Sequence, residues 1–429
     1  MELMIAIGYL GLALVLGSLV AKIAEKLKIP DIPLLLLLGL IIGPFLQIIP
    51  SESAMKIFEY AGPIGLIFIL LGGAFTMRIS LLRRVIKTVI RLDTITFLVA
   101  LFVSGLVFNI VLNLPYTCPI GYLFGAITSA TDPATLIPVF SRVKTNPEVA
   151  ITLEAESIFN DPLGIVSTSV VLGLIGLSSS TNPAIDLIAL AGGAVFVGVL
   201  LAKIYEKIIV HCEFHEYVAP LVLGGAMLTL YVGDDLLPSI FGYGFSGYMA
   251  IAIMALCLGD ALFKMAEKHE NYEYVVRFCD DLSLLARIFI FVFLGACIKL
   301  SMLQSYFVPG LLVALGSIFL ARPLGVFIGL AKSKHSFKEK LYFALEGPRG
   351  VVPAALAVTV GIEILKNADK IPSSITKYIS PSDIAGTIII GTFITILLSV
   401  ILEASWARIL ALKLLGEYKP KYKEEMYHH

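Results

Sequence analysis

The chain has 429 residues, 58% of them hydrophobic and only 15% charged, with a formal net charge of +0. Soluble domains carry roughly a quarter of their residues charged, so a mean hydropathy of +0.92 excludes a water-soluble globule. The neutral balance holds no basic block for a nucleic acid, and five scattered cysteines (Cys118, Cys212, Cys257, Cys279, Cys297) form neither a disulfide framework nor a zinc spacing.

A helix needs about 20 mostly apolar residues to cross a bilayer. On that rule the sequence predicts thirteen spans, over residues 4–20, 32–49, 61–77, 94–112, 119–140, 149–174, 183–200, 217–237, 245–263, 282–298, 307–331, 341–364 and 384–412. The run 4–20 has no basic leader and no small-residue cleavage site, so it reads as a first span and not a removed signal peptide. Pro30, Pro50, Pro147 and Pro381 fall between runs, as helix punctuation should.

Of the 32 lysines and arginines, 24 fall in the odd-numbered connections and the C-terminal segment, and only five in the even-numbered ones. Arg287, Arg322 and Arg349 lie within runs. Positive charge marks the cytoplasmic side. The expectation is a multi-pass plasma-membrane protein with its N-terminus outside and its C-terminus in the cytoplasm. His211, His215, His269 and His335 all fall in connections, so any proton carrier within the bilayer is a carboxylate.

Two runs are interrupted alike. The fifth holds Ser129-Ala130-Thr131-Asp132-Pro133; the twelfth holds Glu346-Gly347-Pro348-Arg349-Gly350, followed by Pro353. Proline removes a backbone donor and clashes with the preceding turn, and in hydrocarbon the freed groups must find partners in protein, water or ions. Both runs therefore read as broken helices. They are the fifth of the first six spans and the fifth of the last six, with the seventh as connector. That pattern predicts an all-α polytopic membrane protein with an inverted repeat of two six-helix units.

The sixth run carries the densest polar stretch, Leu153-Glu154-Ala155-Glu156-Ser157-Ile158-Phe159-Asn160-Asp161-Pro162. Asp161 lies about a dozen residues into its span, near the bilayer centre. A carboxylate is a hard oxygen ligand for a small cation, and desolvation penalises its charged form. Such a group can trade a proton for a cation near neutral pH. The plainer alternative is that Asn160-Asp161-Pro162 is only a turn or a cap. Asn160 can orient Asp161 without adding charge. Ser157 lies one turn before Asp161 on the same face, and Thr131 at the break offers a hydroxyl and a carbonyl; both are candidate ligands or plain packing residues. Asp132, Glu156, Arg322 and Arg349 should be paired, because a lone buried charge is costly. The expected pairs are Glu156 with Arg322 and Asp132 with Arg349, structural rather than transporting. Glu154 either lines the entrance or is solvated, and Arg287 has Asp280 and Asp281 as candidate partners. No phosphate-binding glycine motif is present, so no nucleotide drives the protein.

Thr131-Asp132-Pro133, Glu156-Ser157-x-x-Asn160-Asp161-Pro162, Arg322 and Glu346-Gly347-Pro348-Arg349-Gly350, in that order, resemble the monovalent cation/proton antiporters. The Asn160–Asp161 pair is similar to the NhaP and NHE branch, not to the NhaA-like branch with two aspartates. The resemblance implies Asp161 as the ion-binding residue, assisted by Thr131 and Ser157, and a Glu156–Arg322 pair holding the core together. It implies a homodimer in the lipid bilayer, with residues 1–78 and 203–300 as a dimerisation part and 85–175 and 305–412 as a transport core, moving in an elevator-like cycle. The segment 413–429 is a short tail, and no acidic residue near Ala74 offers an auxiliary ligand. Function is then electroneutral exchange of one Na+ (or Li+) for one H+, with no cofactor. Potassium/proton exchange is the near alternative. A gated cation channel is the remote one, since the polar residues cluster at one depth.

Overall fold

The computed structural model describes residues 3–132, 146–177, 183–212, 217–241, 244–265 and 271–416. All regular structure within them is helical. In chain order the helices are α1 (Leu3–Leu27), α2 (Asp31–Phe45), α3 (Ser51–Phe75), α4 (Ile79–Val111), α5 (Pro119–Ser129), α6 (Pro147–Leu174), α7 (Pro183–His211), α8 (Val218–Ile240), α9 (Gly247–Lys264), α10 (Asn271–Cys297), α11 (Leu300–Gly329), α12 (Phe337–Leu345), α13 (Val351–Lys366) and α14 (Pro381–Leu415). Among the described residues nine of them are long and apolar enough to cross a membrane: α1, α3, α4, α6, α7, α8, α9, α11 and α14. Pro133, Arg142, Lys144, His215, Lys268, His269 and the segment 417–429 lie outside the described residues.

The prolines act at helix starts. Pro30 and Pro50 occupy the position just before α2 and α3, while Pro147 and Pro381 sit in the first turn of α6 and α14, where the missing N–H has no partner to lose. Three helices begin well before the apolar runs that announced them. α4 starts at Ile79 and not near residue 94, α10 at Asn271 and not 282, and α3 at Ser51 and not 61. In α4 the cause is amphipathicity. Leu82, Val85 and Val89 are buried while Arg83, Arg84 and Lys87 are exposed, so averaged hydropathy hides a helix whose one face is apolar.

The helices differ sharply in depth. The most apolar window of α14 is 83% buried, against 11% for α1, so α14 threads the middle of the bundle and α1 lies on its rim. α14 packs against α11 and α13; α10 packs against α2, α3 and α13; α6 packs against α4, α5, α7 and α9. In a bilayer, helices gain little from apolar burial against each other, so close backbone approach has to hold them. α2 and α10 show it at Gly39 and Gly295. A Cβ on Gly39 would lie 2.1 Å from the Val292 carbonyl oxygen, and one on Gly295 would lie 2.5 Å from that of Leu36.

Gly39→Val should therefore force α2 and α10 apart. Overpacking of this kind costs about 1–3 kcal/mol. Thermal unfolding of the detergent-purified variant should show a lower midpoint than that of Gly8→Val, where the added side chain meets open space.

Candidate functional site

Both interrupted runs are breaks in the folded chain, and they meet. α5 stops at Ser129, after which Ala130 is extended. α12 stops at Leu345 and α13 starts at Val351, leaving Glu346–Gly350 non-helical. The Asp132 N–H donates to the Pro348 carbonyl at 2.7 Å, which ties one break to the other. Gly350 is required here, because a Cβ would fall 2.1 Å from that of Asp132.

Side chains from three helices satisfy the exposed backbone. From α6, Asn160 accepts from the Thr131 N–H at 3.2 Å and donates to the Thr131 hydroxyl at 2.7 Å. From α14, Glu403 accepts from the Gly347 N–H at 2.5 Å and Ser399 from the Arg349 N–H at 3.0 Å. Ser399 and Glu403 are four residues apart and so share a face. From α11, Arg322 donates to the carbonyls of Phe343 and Glu346, both at 3.2 Å.

Arg322 also makes the expected pair. Its two terminal nitrogens meet the two carboxylate oxygens of Glu156, one of them at 3.0 Å, in a bidentate fork. Both side chains are buried. The second expected pair is absent among the described residues. The Arg349 guanidinium donates to the Gly347 carbonyl and forms no ion pair with Asp132. Its Nη1 is taken up by the backbone of its own break, while Nε and Nη2 have no hydrogen-bond partner among the described residues. Arg287 likewise pairs with neither Asp280 nor Asp281. It lies 3.4 Å from Asp31, at the start of α2.

Asp161 sits within continuous helix, not at a turn or a cap. Pro162 follows it and lacks the N–H that would bond the Ile158 carbonyl. Asp161 is 8% exposed, and its Oδ1 has no hydrogen-bond partner among the described residues. It faces a cavity of about 330 Å³ that Ser157, Ile158, Asp132, Glu154, Thr76 and Asp280 also line. Thr131, Asn160, Glu156, Arg322 and Arg349 are not among the lining residues. The cavity thus gathers Asp161, Ser157 and Asp132. Three buried carboxylates escaped the sequence reading of the site: Asp93 on α4, Glu403 on α14, and Glu346 as a carboxylate in its own right. Glu403 stood as a lone acid in an apolar run, a signal that was available. Asp93 fell just outside a run.

The sequence matches a family model described as sodium/hydrogen exchanger, transmembrane, over residues 11–409. The chain belongs to the sodium/hydrogen exchanger family. It is similar to Na(+)/H(+) antiporter 1 of Methanocaldococcus jannaschii, 86% identical over 428 residues, covering 100% of each chain. It is 48% identical to probable Na(+)/H(+) antiporter 2 of the same organism, covering 96% of this chain and 97% of the other. Its fold matches the solved structure of the sodium proton antiporter MjNhaP1 from that organism at pH 8, with a TM-score of 0.95 and 86% identity over 97% of this chain and 100% of that one. The protein is accordingly a multi-pass membrane protein of the exchanger family.

Removing either partner of the Glu156–Arg322 fork strands a buried charge, at a cost of about 3–5 kcal/mol. Glu156→Ala and Arg322→Ala should each lower thermal stability by far more than Asp161→Asn does. The double variant should recover part of the loss in a double-mutant cycle; strictly additive losses would show that the two side chains are uncoupled.

Proposed function

We propose that this chain exchanges one Na+ (or Li+) for one H+ across the membrane, with Asp161 as the shared site. The supporting observation is Asp161: its Oδ1 is buried and without a hydrogen-bond donor among the described residues, and the residue lines a cavity. A carboxylate in that position needs either a proton or a cation to compensate its charge. Ser157 on the same cavity wall supplies a hydroxyl, and the Thr131 hydroxyl, braced by Asn160, stands beside the helix break. Asn160 is neutral and spends its amide on Thr131, so it contributes no second titrating group. Asp132, Glu156, Arg322 and Arg349 hold the two breaks together around the site.

The cycle is alternating access by an elevator-like movement. Residues 85–175 and 305–412 form the moving core; residues 1–78 and 203–300 form the dimerisation part of a homodimer. The packing of α6, α11, α13 and α14 around the two breaks supports the first grouping, and the packing of α10 on α2 and α3 supports the second. The N-terminus lies outside and the C-terminus in the cytoplasm, as the distribution of lysine and arginine requires.

Purified protein reconstituted into vesicles tests the site. Wild type should move protons in response to a sodium or lithium gradient, and Asp161→Asn should not, while still eluting and unfolding like wild type. Sodium-driven proton movement by Asp161→Asn would remove the assignment. Exchange with potassium but not sodium would shift the substrate and keep the site.

Competition at a single carboxylate also fixes the pH dependence. At low pH the proton occupies Asp161 and apparent sodium affinity should weaken. At high pH the cation binds well, but protons to exchange become scarce. Activity should pass through an optimum whose acid limb moves to lower pH as sodium rises. The rate should not change when the membrane potential is clamped with potassium and valinomycin. A rate that follows the potential would mean that a second group titrates in each cycle.

A further inference from the structure

Outside the site, the least explained feature is a basic face built from two distant parts of the chain. The first turns of α4 expose Arg83, Arg84 and Lys87. The connection after α11 and the start of α12 expose Lys332, Lys334 and Lys338. Thr88 and His335 join the two strings by a side-chain hydrogen bond of 2.9 Å across 247 positions. Arg84 shares the face of Thr88, one turn away. Farther along, the Thr96 hydroxyl donates to the Gly325 carbonyl at 3.0 Å, so α4 and α11 run together beneath the basic face.

None of these six side chains takes part in an ion pair among the described residues. The nearby acid is already engaged: Glu339 accepts from the Ser336 N–H and hydroxyl and lies 3.8 Å from His335. Directly beyond the basic face the same two helices turn apolar and outward. Ile90 is 53% exposed on α4, and Ile328 is 53% exposed on α11. Phe337 is 69% exposed among the lysines, with its ring 5.6 Å from that of Phe327. The rule that places positive charge on one side of a membrane explains the side. It does not require that two strings this far apart in sequence meet on one uncompensated face.

We propose that Arg83, Arg84, Lys87, Lys332, Lys334 and Lys338 form a binding face for the phosphate headgroups of anionic lipids. Charge complementarity selects the headgroup, and the exposed Ile90, Ile328 and Phe337 receive the acyl chains below it. The face lies on α4, the connection after α11 and the start of α12, next to the helix that carries Arg322 and to the second break, so bound lipid would stabilise that part of the molecule.

Thermal unfolding of the detergent-purified full chain, titrated with phosphatidylglycerol, tests the proposal. Phosphatidylcholine and inorganic phosphate serve as separate arms. Phosphatidylglycerol should raise the midpoint, phosphatidylcholine should not, and the effect should fade as salt rises. Each basic residue at an anionic surface strengthens binding about fivefold, so Arg84→Gln/Lys334→Gln should weaken the response at least about tenfold. Lys22→Gln/Arg277→Gln, which removes exposed charges elsewhere, should leave it unchanged. Antiport in phosphatidylcholine vesicles checks that the variants are folded. If one is not, the salt dependence and headgroup preference of wild type decide alone. Equal response to both lipids, a response reproduced by inorganic phosphate, or an unaltered response in Arg84→Gln/Lys334→Gln would overturn the proposal.

Discussion

Two stretches of unwound backbone in the interior of a membrane protein set the terms for everything around them. Hydrocarbon offers no hydrogen bonds, so each freed N–H and carbonyl needs a partner from the protein. The chain meets that demand first by letting the breaks bond to each other, through the Asp132 N–H and the Pro348 carbonyl. It then recruits Asn160, Ser399, Glu403 and Arg322 from three helices that are continuous at those positions or nearly so. The polar side chains that look extravagant in so apolar a sequence are mostly committed to this task. Among the described residues they leave buried carboxylate oxygens of Asp93, Asp161 and Glu346 without a donor, and of these three residues only Asp161 lines the cavity.

The division of labour between neighbours in α6 follows from helix geometry. Glu156, Ser157, Asn160 and Asp161 lie within two turns, yet they point to different tasks. Glu156 and Asn160 are four apart and share a face that turns into the protein, one towards Arg322 and one towards Thr131. Ser157 and Asp161, also four apart, share the adjacent face and line the cavity. A single rotation of the helix about its axis would exchange a brace for a site. The bidentate Glu156–Arg322 fork fixes that rotation, because its planar geometry tolerates little twist.

Much of this was legible in the sequence because the bilayer penalises polarity so heavily. The runs, the two breaks, Asp161 and the Glu156–Arg322 pair all stood out against apolar flanks. What stayed hidden had a consistent cause. The early starts of α3, α4 and α10 were masked because amphipathic turns lower a hydropathy average without ending a helix. Asp132 and Arg349 were paired on paper because both flank breaks; the sequence could not show that a carbonyl two residues away would take up the guanidinium. The Arg287–Asp31 contact depends on how α2 and α10 cross, which is set by Gly39 and Gly295, not by charge spacing. Glu403 was readable in principle, but its role as a backbone acceptor required knowing which break it faces.

The sequence contains one tryptophan, Trp406. Its indole N–H donates at 3.3 Å to the carbonyl of Leu345, the last helical residue before the second break, and its ring lies 6.1 Å from that of Phe319 on α11. Indole emission is sensitive to the polarity around the ring and to the bond its N–H makes. The protein therefore carries a built-in optical label on α14, aimed at the end of α12 and free of background from any other indole. A change in the geometry of that break would register in the emission of the unlabelled chain.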